Sequence, residues 1–359
     1  MNWKNCPPIP PRKGMEKQFG LAGPLSGAHG NLLLVAGGAN FEKGMPWRGG
    51  VKTYHDEIFL LEEMPDGTLT WKDTDYQLPF PVAYSSCVTL KDGFVSIGGE
   101  NERGLLSSVI HFSFAGGYVE MNNLPELPEK VSCSGAALVN RTIIVVGGIT
   151  GGGESPGCYS LSAEKLQSGW TRLADLPVPL SHVVVVSQFD GHEQAVFVLG
   201  GRNKTAEVSE FFSTVWKYSP SSNQWSRAKD IILDGKPVQL AAGTGFARGK
   251  DEIILLGGDR GLFFNQTERM NLEIGSQADS MLRTGLLKKK DLFLSNHPGF
   301  SRQILSYHTL SGECEIIGEI PGESPVTTVL YPWKHKIVVP SGEIRPGVRT
   351  DKVMMLEME

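Results

Sequence analysis

At 359 residues the chain has room for two or three domains, and a hydrophobic content of 40% is ample for a globular core. A net charge of −5 gives no electrostatic case for nucleic acid or an anionic membrane, and no apolar run approaches the roughly 20 residues needed to span a bilayer. Five scattered cysteines (Cys6, Cys87, Cys133, Cys158, Cys314) without a CxxC pair read as buried thiols, and eight dispersed histidines without HxH or HExxH give a metal site little support.

From the N-terminus, "NWKNCPPIPP" (2–11) carries a tryptophan followed by prolines and lacks an apolar signal core. The expected compartment is the cytoplasm as the chain is written, or the periplasm if a leader has been removed. Beyond it, apolar runs ending in paired glycines recur: "LLLVAGG" (32–38), "GFVSIGG" (93–99), "TIIVVGG" (142–148), "AVFVLGG" (195–201) and "EIILLGG" (252–258). A sixth, "KIVVPSG" (336–342), has Ser341 in place of the first glycine. Spacing near 50 residues points to an all-β, six-bladed kelch-type β-propeller, one four-stranded blade per repeat, in a single domain over 1–359.

Each unit extends around its glycine strand. First strands are expected at 84–90, 134–140, 182–188 and 240–247, and third strands at 213–218 and 302–308. Fourth strands begin near a tryptophan and run toward proline, as in "WTRLADLPVP" (170–179) and "WSRAKDI" (225–231). The fifth unit is interrupted by an insertion at 261–300, of which "SQADSMLRTGLLKKK" (276–290) reads as helical with Met281, Leu282, Leu286 and Leu287 on one side. Its role is either a lid or an inert decoration. The last unit supplies three strands, at about 326–332, 335–340 and 352–358; residues 2–11 are expected to complete it and close the ring.

In a propeller the loops after the second strands open on one face around the channel. The residues converging there are Asn40 and Phe41; Glu100, Asn101 and Arg103; Arg202 and Asn203; Asp259 and Arg260; and Glu343, Arg345 and Arg349. Such charges suit a small anionic ligand. Asn40, Phe41, Arg202, Arg260 and Arg345 are expected to line a substrate site. The third blade's "ITGGGESPG" lacks the GK[ST] of a phosphate loop. Glu343 lies in the stretch "GEIRPGVRTDKV" (342–353), where Pro346 and Gly347 stiffen a turn flanked by Arg345 and Arg349. A carboxylate held there suits a general base, and an arginine beside it favours the ionised form and can bind a substrate carboxylate. A loop salt bridge is the plain alternative.

With "AGGANF" (36–41), "GGVKTYHDEIFLL" (49–61) and the insertion after "LLGGDRGLFFN", that stretch resembles the N-acetylneuraminate epimerases, or sialic acid mutarotases, six-bladed kelch propellers, in a cyclically rotated blade order. The resemblance covers essentially the whole chain. It implies Glu343 as proton acceptor and Arg349 as its partner, leaves Arg345 as lining, and implies a cofactor-free interconversion of the α and β anomers of N-acetylneuraminate or a related sugar acid. A non-catalytic propeller binding a protein or glycan at the same funnel is the competing class. A lyase would need a second acid, for which Glu100 and Asp259 are the candidates.

Overall fold

The computed structural model describes residues 2–115, 118–204 and 207–358. Six antiparallel four-stranded sheets follow one another around a ring. In the first blade the strands are Leu25–His29, Leu32–Ala36, Ile58–Glu63 and Leu69–Trp71. The second strands, Leu32–Ala36, Gly93–Ile97, Thr142–Val146, Gln194–Leu199, Glu252–Leu256 and Lys336–Pro340, are buried almost throughout. A sheet sandwiched between two others buries both faces, so these strands read as unbroken apolar runs. First strands such as Val184–Phe189 alternate, and outer strands such as Gln224–Arg227 are largely exposed.

The core is therefore distributed. Six apolar clusters occupy the six blade interfaces, as with Leu34, Leu60, Phe94 and Phe112 between the first two blades. The final blade is completed as expected: Asn2–Asn5 pairs antiparallel with Val353–Glu357, register Trp3 to Leu356. Tryptophans at or just before the outer strands reach back to the preceding connection, Trp170 Nε1 donating to the Pro125 carbonyl at 2.9 Å and Trp225 to that of Ala174 at 2.8 Å.

The glycine pairs stitch one blade to the next. Gly38, Gly99, Gly148 and Gly201 donate their amides to the carbonyls of Val82, Val131, Leu180 and Leu240 at 2.7–2.8 Å. The glycine before each has φ between +61° and +68°, and a Cβ there would lie 2.1–2.4 Å from the same carbonyl. No side chain fits such an approach.

Several first strands start later than the sequence suggests: Ser86, Val184, Thr244 and Tyr331 are their first residues. The residues before them have another task. Gly23, Tyr84, Cys133, His182, Ala242 and Thr327, one per blade, all have φ from 47° to 61°. Each donates its amide to the carbonyl of its counterpart in the preceding blade, and Gly23 closes the circle on Thr327, at 2.6–3.1 Å throughout. This belt forms the floor of the central funnel.

The insertion holds two helices, α1 (Leu262–Ser276) and α2 (Ser280–Ser295). The sequence suggested part of the second only. Met281, Leu282 and Leu287 are exposed rather than packed as an apolar face. Among the described residues no helix is long and apolar enough to cross a membrane.

Candidate active site

A cavity of about 690 Å³ lies between the belt and the helical hairpin, within the roughly 300–1,000 Å³ typical of small-molecule sites. Its floor is Tyr84, Cys133, His182, Ala242 and Thr327, and its wall includes Glu100, Arg202, Asp259, Glu343 and Arg349. The hairpin roofs it with Phe263, Phe264, Thr267, Glu268 and Asn271 of α1 and with Lys290 and Leu294 of α2.

Glu343 and Arg349 face each other across a short ribbon, Glu343–Arg345 paired with Val348–Arg349, closed by Pro346 and Gly347. Opposite residues of such a pair project on one side, so both side chains enter the cavity. Glu343 Oε1 accepts the Gly347 amide at 2.8 Å and stands 3.4 Å from Arg349 Nη1. Arg349 lies 4.7 Å above the Phe41 ring, its side chain 3% exposed. Among the described residues its Nε makes no hydrogen bond, and Nη1 has only the 3.4 Å ion pair with Glu343. Buried donors left open in this way are what an anionic ligand satisfies.

Across the floor, Arg202 lies 4.4 Å from the Phe264 ring centre, with Nε donating to His182 Nδ1 at 3.4 Å, and makes no ion pair among the described residues. Burial and the nearby Arg202 hold His182 well below the usual imidazole range, so it is neutral. Glu100 is occupied: Lys52 at 3.2 Å, Tyr54 Oη at 2.7 Å and Ser132 Oγ at 3.1 Å all reach it. Asp259 is pushed up by burial. On the roof, burial and Arg345 push His297 down to about 4, making it a neutral aromatic wall between Phe263 and Phe300.

The structure gathers Phe41, Arg202, Glu343 and Arg349 at the cavity and takes Asn40, Arg260 and Arg345 out of its lining. Asn40 is buried and donates to the Gly20 carbonyl at 3.0 Å; Asn101 and Asn203 make the equivalent bond to Pro81 and Pro179. Arg260 binds the Gln239 carbonyl at 2.8 Å, Ser301 Oγ at 3.0 Å and Gln303 Oε1 at 3.1 Å, clamping the two ends of the insertion together. A bulge between Glu343 and Arg345 turns Arg345 away from Glu343, and it meets Glu323 3.7 Å away. Tyr84 and His182 went unrecognised because they sit where a first strand was expected, and Cys133, just before one, was read as a buried thiol. Their signal was a residue of varied type between small ones, as in "AYS", "SCS" and "SHV". No group of three or more His, Cys, Asp or Glu among the described residues is placed to hold a metal.

Known proteins resemble about two thirds of this chain. The profile of the N-acetylneuraminate epimerase family matches residues 124–359. N-acetylneuraminate epimerases of Salmonella enteritidis and Haemophilus influenzae are each 25% identical, over 64% and 63% of this chain and 57% of their own length. That of Escherichia coli is 24% identical over 70% of this chain and 64% of its own length. The chain thus spans little more than half the length of the first of these relatives.

Proposed function

The chain belongs to the N-acetylneuraminate epimerase family, and from that premise we propose that it is a mutarotase, an isomerase interconverting the α and β anomers of N-acetylneuraminate or a related 2-keto sugar acid. The observation that carries this reading is the Glu343–Arg349 pair, fixed across a rigid ribbon and facing a cavity of monosaccharide size. The family match begins at residue 124, directly after the second blade's last strand, Tyr118–Asn123. That boundary supports a rotated order in which the first two blades correspond to the family's last. A closed ring keeps its neighbours under such a rotation, so a shared site survives it.

In this reading Arg349, with its open Nε, binds the carboxylate beside the anomeric carbon, and Arg202 adds a second positive charge across the floor. Glu343 takes the proton of the anomeric hydroxyl. As that oxygen becomes a carbonyl, the bond from the anomeric carbon to the ring oxygen breaks and the ring oxygen gains a proton. Rotation about the adjoining carbon–carbon bond presents the other carbonyl face, and re-closure gives the second anomer. The aromatic roof over the cavity limits access of water to the open-chain acid.

The test is proton NMR of freshly released α-N-acetylneuraminate near neutral pH, followed to anomeric equilibrium. Wild-type protein is expected to speed the approach, and Glu343→Gln to slow the catalysed rate roughly 100-fold or more, the usual scale for losing a positioned base. No acceleration of this or any other 2-keto sugar acid by the wild type would leave a non-catalytic binding propeller as the reading.

A further inference from the structure

Ring opening needs a proton at the ring oxygen as well as a base at the anomeric hydroxyl, and Glu343 accounts only for the base. Several wall groups are unsuited to supply it. Burial pushes the Cys133 thiol up to about 12 and the Tyr84 phenol higher still. Lys52 is held by Glu100. His182 is neutral with Nδ1 accepting, and a neutral imidazole is a very weak acid.

Asp259 is placed differently. It is the first residue after the glycine pair in the fifth blade, as Glu343 is in the sixth. Both make the same backbone bridge, Ala241 to Asp259 and Val326 to Glu343. Neighbouring blades therefore deliver two carboxyl groups to one cavity from equivalent positions. Asp259 Oδ1 accepts the Gly261 amide at 2.8 Å, and no other hydrogen bond reaches this carboxyl among the described residues.

We propose that Asp259 is the general acid of the reaction, giving its proton to the ring oxygen while Glu343 takes the proton of the anomeric hydroxyl. This assignment rests on the mutarotase reading. In opening, the hydroxyl's O–H electrons form the carbonyl, the carbon–ring-oxygen bond breaks, and its electron pair takes the Asp259 proton. Opening leaves Glu343 protonated and Asp259 ionised. In closing, Asp259 recovers the proton from the attacking hydroxyl and Glu343 returns its own to the carbonyl oxygen. The pair is reset without solvent, an oxidant or a metal.

The surroundings favour a carboxyl that holds its proton. Burial raises Asp259 most and Glu343 of the sixth blade raises it further, against the Gly261 amide, Arg202 of the fourth blade and the adjoining Arg260, and the net shift is upward. From α1 the charged residue entering the cavity is Glu268, already paired with Lys204. A general acid works only while protonated, so activity falls as pH rises through the Asp259 pKa, at a pH above the ordinary aspartate range.

The experiment measures kcat/KM for anomer exchange against pH for wild type, Asp259→Asn, Asp259→Glu and Glu343→Gln. Asparagine retains an oxygen for the Gly261 amide. Expected results are a falling limb in the wild type, a roughly 100-fold or greater loss in Asp259→Asn with that limb gone, and its partial return in Asp259→Glu. An Asp259→Asn protein that keeps its rate within a few fold, or keeps the limb, overturns the assignment. Should that variant fail to fold, a wild type without a falling limb, or Asp259→Glu leaving its position unmoved, overturns it equally. Failure of the two readings is distinguishable. A wild type without activity on any 2-keto sugar acid removes the mutarotase along with its acid, whereas an active wild type with an impaired Glu343→Gln and an unimpaired Asp259→Asn removes only the acid.

Discussion

Ser341 heads the sixth glycine pair at a position held by glycine in the other five, yet it has φ 54° and is fully buried. Its hydroxyl accepts the Leu21 amide at 2.7 Å and lies 2.6 Å from the Thr350 carbonyl, tying the first blade's approach to the end of the Glu343–Arg349 ribbon. Ser341→Ala strands a buried amide and a buried carbonyl while retaining the left-handed strain. The expected loss is about 1–3 kcal/mol by urea denaturation. Ser341→Gly loses the same bonds but relieves the backbone, so it should unfold at higher urea than the alanine variant. The same scale separates scaffold from site. Asn40, Asn101 and Asn203 recur in three blades because each holds the connection before its own first strand. A residue recurring from blade to blade in this way serves the ring, whereas Glu343, Asp259 and Arg202 occupy one equivalent position with different chemistry.

At the scale of elements, the helical hairpin covers the funnel and is fastened on two sides. Glu268 of α1 is bonded by the Ser209 amide at 2.6 Å and Lys204 at 2.8 Å, on the fourth-blade side. Asp291 of α2 receives Trp47 Nε1 at 2.8 Å and Arg48 Nη2 at 2.9 Å, from the first blade's loop. The second clasp is the exposed one, and salt screens such pairs. Arg48 and Trp47 hold Asp291 below the usual carboxylate range. With the folded pKa depressed, the clasp's contribution is present above the unfolded value and is lost as pH falls through the folded one. Asp291→Asn should speed amide hydrogen exchange in α2 near neutral pH, and the gap from wild type should close in acid and in high salt. An unchanged exchange rate would show that α2 is held by its packing alone.

The whole molecule depends on ring closure. Asn2–Asn5 supplies the outermost strand of a blade whose other three strands come from the far end of the chain. Trp3 covers the interface between the fifth and sixth blades, beside Ile254, Val339 and Met354. Deleting residues 1–5 removes that strand's ladder and Trp3's cover, an expected cost of about 3 kcal/mol or more. It also uncovers the edge of Val353–Glu357, which invites pairing with another chain. A lower denaturation midpoint together with concentration-dependent association in light scattering is the expected outcome. A monomer of wild-type stability would mean that the belt of amide–carbonyl bonds and the cluster around Tyr331 and Trp333 close the ring without the N-terminal strand.

The apolar runs, paired glycines and displaced N-terminal strand were legible in the chain as written, because a strand buried on both faces and a backbone approach that excludes any Cβ each leave a mark in local composition. The turn after Glu343 was legible for a related reason, since Pro346 and Gly347 lie within four positions of it, whereas the choice of Arg349 over Arg345 as its partner came from the family resemblance. The floor was decided only by the tertiary structure. Whether Tyr84, Cys133 and His182 continue a strand or turn into the belt depends on an amide meeting a carbonyl some fifty residues away in the preceding blade. The direction of Asn40, Arg260 and Arg345 was decided in the same way, by acceptors at Gly20, Gln239 and Glu323 that the ring brings alongside them. A side chain's charge is written in its own residue, but the space it enters is made by its neighbours.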